Sequence, residues 1–231
     1  MGGSLLKSDW RQWPYLFHVH TSYTDGDLTA AQCVHYAAKA GVSTVVFLEH
    51  IRRKPDYDVE RFSAEVEFAG RGSVATVLGF EAKLLPDGSL DISEDILRSA
   101  AVIGIAEHSF PNDAGLLRDS LFKVVGTYPL RWPRVTFVWV HPGLCYLKHH
   151  LDSDDDKDFL RMLTKASEAG VLIEQNLRYG LVAPAIAAKL PISSLVTGAD
   201  GHSLSDLQCW ARQVAGITPP QSRVRAHEPV L

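Results

Sequence analysis

Seven short apolar runs rich in Val, Ile and Phe recur along the chain, and the stretches between them are mostly long enough for a helix. The runs are YLFHVH (15–20), TVVFLEH (44–50), ATVLGFEAKLL (75–85), AVIGIAEH (101–108), VTFVWVH (135–141), VLIEQN (171–176) and SSLVTGADGH (193–202). This alternation predicts β-α units rather than hairpins, and so an α/β fold. Helices are expected from Thr29 to Ala40, Asp58 to Ala69, Asp113 to Val125 and Asp156 to Ala169, closed by Gly41, Gly70, Gly126 and Gly170. Glycine just past the last helical residue is the usual stop. Further helices are expected from Leu181 to Lys189 and from Leu204 to Val214, with one short helix at 92–99.

A chain of 231 residues, 46% of them hydrophobic, can bury the core of one α/β barrel. A single domain is expected over 1–217, with a loosely held tail over 218–231 where apolar periodicity fades. The net charge of -4 argues against an extended nucleic-acid surface, which rests on many Lys and Arg contacts to phosphate. Small substrates fit better. Cys33, Cys145 and Cys209 form neither an even set nor a CxxC pair, so a reducing compartment is expected. The first residues carry no apolar segment of signal-peptide length, and no apolar run reaches the roughly 20 residues of a membrane helix. A cytoplasmic protein is expected. The opening Met-Gly-Gly-Ser is not read as a myristoylation site, since Leu6 stands where that motif needs Ser or Thr.

The chemistry lies at corresponding ends of the runs. His18 with His20, His50, Glu81, His108, His141, and Asp200 with His202 all fall at or just past the C-terminal ends of six strand candidates. In α/β barrels the loops after the strands share one face, so these side chains converge. His18 and His20, two apart on a strand, point to one side and can chelate an ion together. The other histidines, His35, His149, His150 and His227, fall in helix, loop or tail and are read as structural or solvated. The acidic run DSDDDKD (152–158) precedes a helix whose dipole favours it, and is read as a solvated loop and helix start.

FHVHTSYTDG resembles the HxHT-x2-SDG opening of the PHP (polymerase and histidinol phosphatase) superfamily, with Thr24 at the usual Ser. FLEH resembles its second motif, with Glu49 at the usual Asp, and GFEAKLLPDGSLDI the segment carrying a bridging glutamate. AEHSF, WVHPG and TGADGH resemble the remaining motifs, in order, so the resemblance spans 15–202. It implies a distorted (β/α)7 TIM-like barrel of the PHP type with up to three divalent ions, Zn, Mn or Fe. The first ion would be held by His18, His20, Glu81 and Asp200, the second by Glu81, His108 and His141, and the third by Asp25, His50 and His202. Glu81, Asp200 and His202 are the residues expected to be catalytic, with Glu81 as the bridge.

Hydrolysis of a small phosphate monoester, by attack of a hydroxide bridging two ions, is the expected reaction. Such esters are among the slowest to hydrolyse unaided, and clustered ions supply both a nucleophile and charge neutralisation. Arg178 is the first choice for a phosphate clamp because its planar fork matches two phosphate oxygens. Arg52, Arg53 and Lys54 follow His50 directly and offer further cations, of which Arg52 and Arg53 are retained as substrate-binding candidates. Glu174 is read as an inner-barrel polar residue or a partner behind the ligands, with no catalytic role.

Three alternatives remain open. A nucleotide phosphodiesterase or exonuclease-type PHP enzyme would share the ligand set. A binuclear amidohydrolase-like enzyme cleaving C–N bonds would share HxH and the late Asp, with a carbamylated Lys at a middle strand end, and no run in the expected place ends in Lys. A non-catalytic PHP module would have lost ligands.

Overall fold

The computed structural model describes residues 9–12, 14–149 and 156–214. Nine short strands follow in chain order: β1 (Tyr15–Val19), β2 (Thr44–Phe47), β3 (Glu49–Ile51), β4 (Ala75–Val77), β5 (Gly79–Lys83), β6 (Val102–Ala106), β7 (Thr136–Trp139), β8 (Leu172–Asn176) and β9 (Leu195–Gly201). They form one sheet in the order β3-β5-β6-β7-β8-β9-β1-β2-β4. Every pairing in it is parallel. The α/β class thus follows from the recurring runs, but two runs each become two strands. TVVFLEH divides at Leu48 into β2 and β3, and ATVLGFEAKLL divides at Leu78 into β4 and β5. The paired halves keep company, with β2 against β4 and β3 against β5.

Helices connect the strands. They are α1 (Ala30–Lys39), α2 (Val59–Ala69), α3 (Glu94–Ser99), α4 (Ala114–Arg131), α5 (Leu144–His149), α6 (Asp156–Glu168), α7 (Pro184–Ala187) and α8 (Leu204–Val214). Their starts are written locally: Thr29 caps α1 in a capping box with Gln32, and Asp58, Ser93 and Asp113 accept N–H bonds at the starts of α2, α3 and α4. Gly126 does not stop α4, which runs on to Arg131. A glycine inside a helix costs about 1 kcal/mol relative to alanine, and here Leu117, Leu121, Val124 and Val125 are buried along the same helix. The helix expected from Leu181 shrinks to the single turn of α7, begun by Pro184. The tail at 218–231, His150, His227 and the acids from 152 to 155 lie outside the described residues.

The apolar interior has two parts. An inner cluster gathers Phe17, Val46, Leu48, Val102, Ala106, Val138, Val140, Leu172 and Val196 from β1, β2, the β2–β3 join, β6, β7 and its end, β8 and β9, with Trp10 stacked on Phe17 at 5.5 Å. An outer cluster packs Leu16, Val19, Ile103, Ile105, Phe137, Trp139 and Ile173 against helix residues such as Phe62, Leu121 and Leu163. The sheet is therefore curled around the inner set. Among the described residues no helix is long and apolar enough to cross a membrane.

Candidate metal centre

The strand-end histidines meet at one end of the inner cluster. Phe17 belongs to the inner cluster and Val19 to the outer one, an inversion that regular alternation would forbid. A register shift between Phe17 and Val19, with His18 at φ 68°, produces it. The bulge turns His18 toward the same interior side as Phe17, where it stands with His20, their ring centroids 5.0 Å apart and both side chains buried. Asp200 (φ 48°) and His141 (φ 33°) are likewise left-handed. Such conformations cost roughly 1–3 kcal/mol each for non-glycine residues, and they collect at functional sites.

Glu81 on β5 stands at the centre. Its Oε1 lies 3.3 Å from His108 Nδ1 and 3.2 Å from His141 Nε2, while its Oε2 lies 3.2 Å from His18 Nε2 and 3.3 Å from His20 Nε2. Asp200 Oδ1 lies 3.7 Å from His18 Nε2 and 3.6 Å from His20 Nε2. Further out, Asp25 Oδ2 lies 3.2 Å from His50 Nε2 and 3.3 Å from His202 Nε2. Three groups of side chains have ligand atoms close enough to hold an ion: His18, His20 and Asp200; His18, Glu81 and His141; and His20, Asp25, His50 and His202. The grouping differs from the expected one. His18 pairs with His141 around Glu81, His20 also joins the outer set, and His108 enters none of the three while still facing Glu81.

Two observations fit this donor set to divalent ions. Four ligands at about 2.0–2.1 Å in a tetrahedron stand about 3.4 Å apart, which is the spacing of these nitrogen and oxygen atoms. Moreover, Nδ1 of His20 and Nδ1 of His141 are buried without a hydrogen-bond partner, a loss of about 1–3 kcal/mol for a group left so, while His20 Nε2 meets carboxylates only at 3.3 and 3.6 Å.

The metal-free electrostatics divide the cluster. Burial opposes charge on His18 and His20, yet Glu174, Asp200 and Glu81 outweigh it, raising His18 well above its ordinary value and His20 to about 9. Burial likewise opposes ionisation of Glu81 and Asp200, but the surrounding imidazoles hold Glu81 well below the carboxylate range, and Asp200 also falls. His50 moves the other way, pushed down to about 4 by burial and then by the charge on His20. His202 falls for the same two reasons.

The cations proposed for substrate occupy different places. Arg178 Nη1 donates to the Asp200 carbonyl at 3.0 Å and contacts His202 Nδ1, so it braces the end of β9 beside the cluster. Arg53 turns away, donating to Ser89 Oγ at 2.7 Å and the Leu90 carbonyl at 3.4 Å. The loop after β5 takes up its guanidinium. Arg52 lines a cavity of about 420 Å³ with Asp25, His50, Glu81 and His108. Lys83 lines it too. It ends β5, so a middle strand does end in Lys, contrary to the sequence reading.

Three buried acids surround the ligands, and of these the sequence pointed only to Glu174 as an inner polar residue or a partner of the ligands. Glu174 Oε1 accepts from His18 Nδ1 at 2.7 Å, and its Oε2 accepts the His141 N–H at 2.6 Å. Glu49 accepts the Thr21 N–H at 2.9 Å and the hydroxyls of Thr21 and Thr24, holding the loop that carries Asp25. Glu107 accepts from Trp139 Nε1 at 3.1 Å and the Gly143 N–H at 2.7 Å, fixing the turn after His141. The available signal was an acid inside an apolar run, as in VLIEQN, FLEH and AEHSF: a charge buried there needs partners.

No family model matches the sequence, and no curated protein matches it. Among solved structures, the chain is similar to a triple mutant of the organophosphorus hydrolase from Deinococcus radiodurans, with 14% identity and a TM-score of 0.41 over 87% of this chain and 80% of that one. It is also similar to a structure from the molecular engineering of organophosphate hydrolysis activity in a weak promiscuous lactonase, with 16% identity and a TM-score of 0.41 over 87% and 82% of the two chains.

Proposed function

We propose that this chain is a metal-dependent phosphoesterase of the PHP type that hydrolyses a small phosphate monoester. The observation that carries the reading is Glu81, whose two oxygens face two different pairs of imidazoles, His108 with His141 and His18 with His20. A carboxylate so placed bridges two ions. His50, His202 and Asp25 supply a third position, with His20 turned toward it. Zn, Mn and Fe all suit imidazole and carboxylate donors.

The fold supports the same reading. Only Leu48 separates β2 from β3, only Leu78 separates β4 from β5, and these four strands lie at and next to the two ends of the sheet order. The Leu48 N–H bonds the Val19 carbonyl at 3.1 Å, continuing the β1–β2 ladder through the join. Counted as joined at these leucines, the nine strands would make the seven of a (β/α)7 barrel.

Divalent ions bound here would neutralise developing negative charge and activate water. The protein's own groups do the remaining work. Arg178 steadies the backbone of Asp200 and the ring of His202. Arg52 and Lys83 add positive charge to the lining of the cavity that Asp25 and Asp56 share, and that charge would attract an anionic substrate. The position of Lys83 favours a second reading, the binuclear C–N hydrolase, although Glu81 already holds the place of the bridge. A screen of phosphomonoesters, phosphodiesters and cyclic amides, with Mn and Zn supplied separately, tests the proposal. It is supported by monoester turnover that chelation abolishes, and overturned by hydrolysis confined to amides.

A further inference from the structure

Among the described residues, three other than glycine have a positive φ, and all three are candidate ligands: His18, His141 and Asp200. Each is gripped by the same short piece of β8. Glu174 Oε1 accepts from His18 Nδ1 at 2.7 Å, which places that ring's proton on Nδ1 and leaves Nε2 for the centre, 3.2 Å from Glu81 Oε2. Glu174 Oε2 accepts the backbone N–H of His141 at 2.6 Å, holding the left-handed turn that aims His141 Nε2 at Glu81 Oε1. Asn176 completes the set. Its Oδ1 accepts the Tyr179 N–H at 3.0 Å, so its Nδ2 must face the carboxylates, donating to Glu174 Oε2 at 3.1 Å and Asp200 Oδ2 at 3.3 Å. With Oδ2 so engaged, Asp200 Oδ1 is left toward His18 and His20.

We infer that Glu174 and Asn176 form a strut that holds His18, His141 and Asp200 in their ligating conformations, an inference that rests on the metal reading above. Both are positioning residues. Left-handed residues persist where their surroundings over-determine them, and partners of this kind set the tautomer and aim of ligands. The neighbouring strand is shaped around the strut: Gly198 pairs with Asn176 across β8 and β9, and a Cβ on it would stand 1.7 Å from Glu174 Oε1. Gly198→Ala therefore displaces the Glu174 carboxylate without changing any charge.

The test is zinc affinity, measured by competition with a chromophoric chelator, on metal-free protein whose circular dichroism confirms folding. Glu174→Gln has one acceptor oxygen where three donors need satisfying, and it should weaken zinc binding about 10- to 100-fold. Gly198→Ala should lose a comparable factor, and Asn176→Ala less, since Asp200 is the one candidate ligand that Asn176 contacts and Glu174 keeps its bonds to His18 and His141. A solely structural strut would lower the melting temperature of these variants and leave the zinc affinity of the folded protein unchanged, which overturns the inference. If Glu174→Gln or Gly198→Ala fails to fold, Asn176→Ala decides by the same criterion. Wild-type protein that takes up no zinc overturns the metal reading and the strut together; wild-type uptake unaltered by the substitutions overturns the strut alone.

Discussion

Glu81 Oε1 lies 3.2 Å from His141 Nε2, with both side chains almost wholly buried. The other oxygen of the same carboxylate faces His18 and His20, so one residue serves two positions. Glu81→Gln removes a negative charge between two cations and should empty both positions, with loss of turnover. His202 is a member of the outer group alone, so His202→Ala should remove about one equivalent of metal, reducing turnover while the inner pair stays loaded. Metal analysis of the two purified variants checks this. Equal metal loss in both would deny that Glu81 is the shared ligand.

The raised pKa of His20 sets the pH dependence. A histidine whose folded value is about 9, against about 6.5 unfolded, contributes stability that is fully present below pH 6.5 and lost as pH rises to 9. For the metal-free protein this contribution is on the order of 3 kcal/mol. Its melting temperature should therefore fall between pH 6.5 and 9. Zinc must displace the same proton, so zinc affinity should rise over that window and binding should release protons into the buffer. Calorimetry in buffers of different ionisation enthalpy measures the release.

Arg178→Ala should impair both metal retention in the outer group and turnover, because its guanidinium contacts His202 and the Asp200 carbonyl. A change in KM alone, with full metal content, would return Arg178 to a role in substrate binding only.

Arg52 and Arg53 are neighbours with opposite expectations. Arg52→Ala should raise KM for a phosphomonoester, since Arg52 lines the cavity. Arg53→Ala should leave kinetics near wild type, because its guanidinium is engaged with Ser89 and Leu90. Steady-state kinetics on the best substrate distinguishes them.

Much of this was legible because strand ends and ligands coincide: His50 and Glu81 pair directly across β3 and β5, as their places in the apolar runs imply. The breaks at Leu48 and Leu78 were not, since an apolar residue at a strand interruption looks like any other in a continuous run. Nor was the bulge at His18, where alternation alone predicts that Phe17 and His18 face opposite ways. Gly126 misled because its helix is held by residues packed against the core on both sides of it, the buried Leu121 and the half-buried Tyr128 among them. Glu174 was seen but not assigned, since its partners, the His18 ring and the His141 backbone, lie 156 and 33 residues away.

The most direct test of the central claim is the metal content of protein reconstituted with Mn or Zn after purification without chelator. The cluster of six histidines and three carboxylates has more donors than the four or so that one zinc site uses, and the account predicts more than one equivalent per chain. One equivalent or none would contradict it.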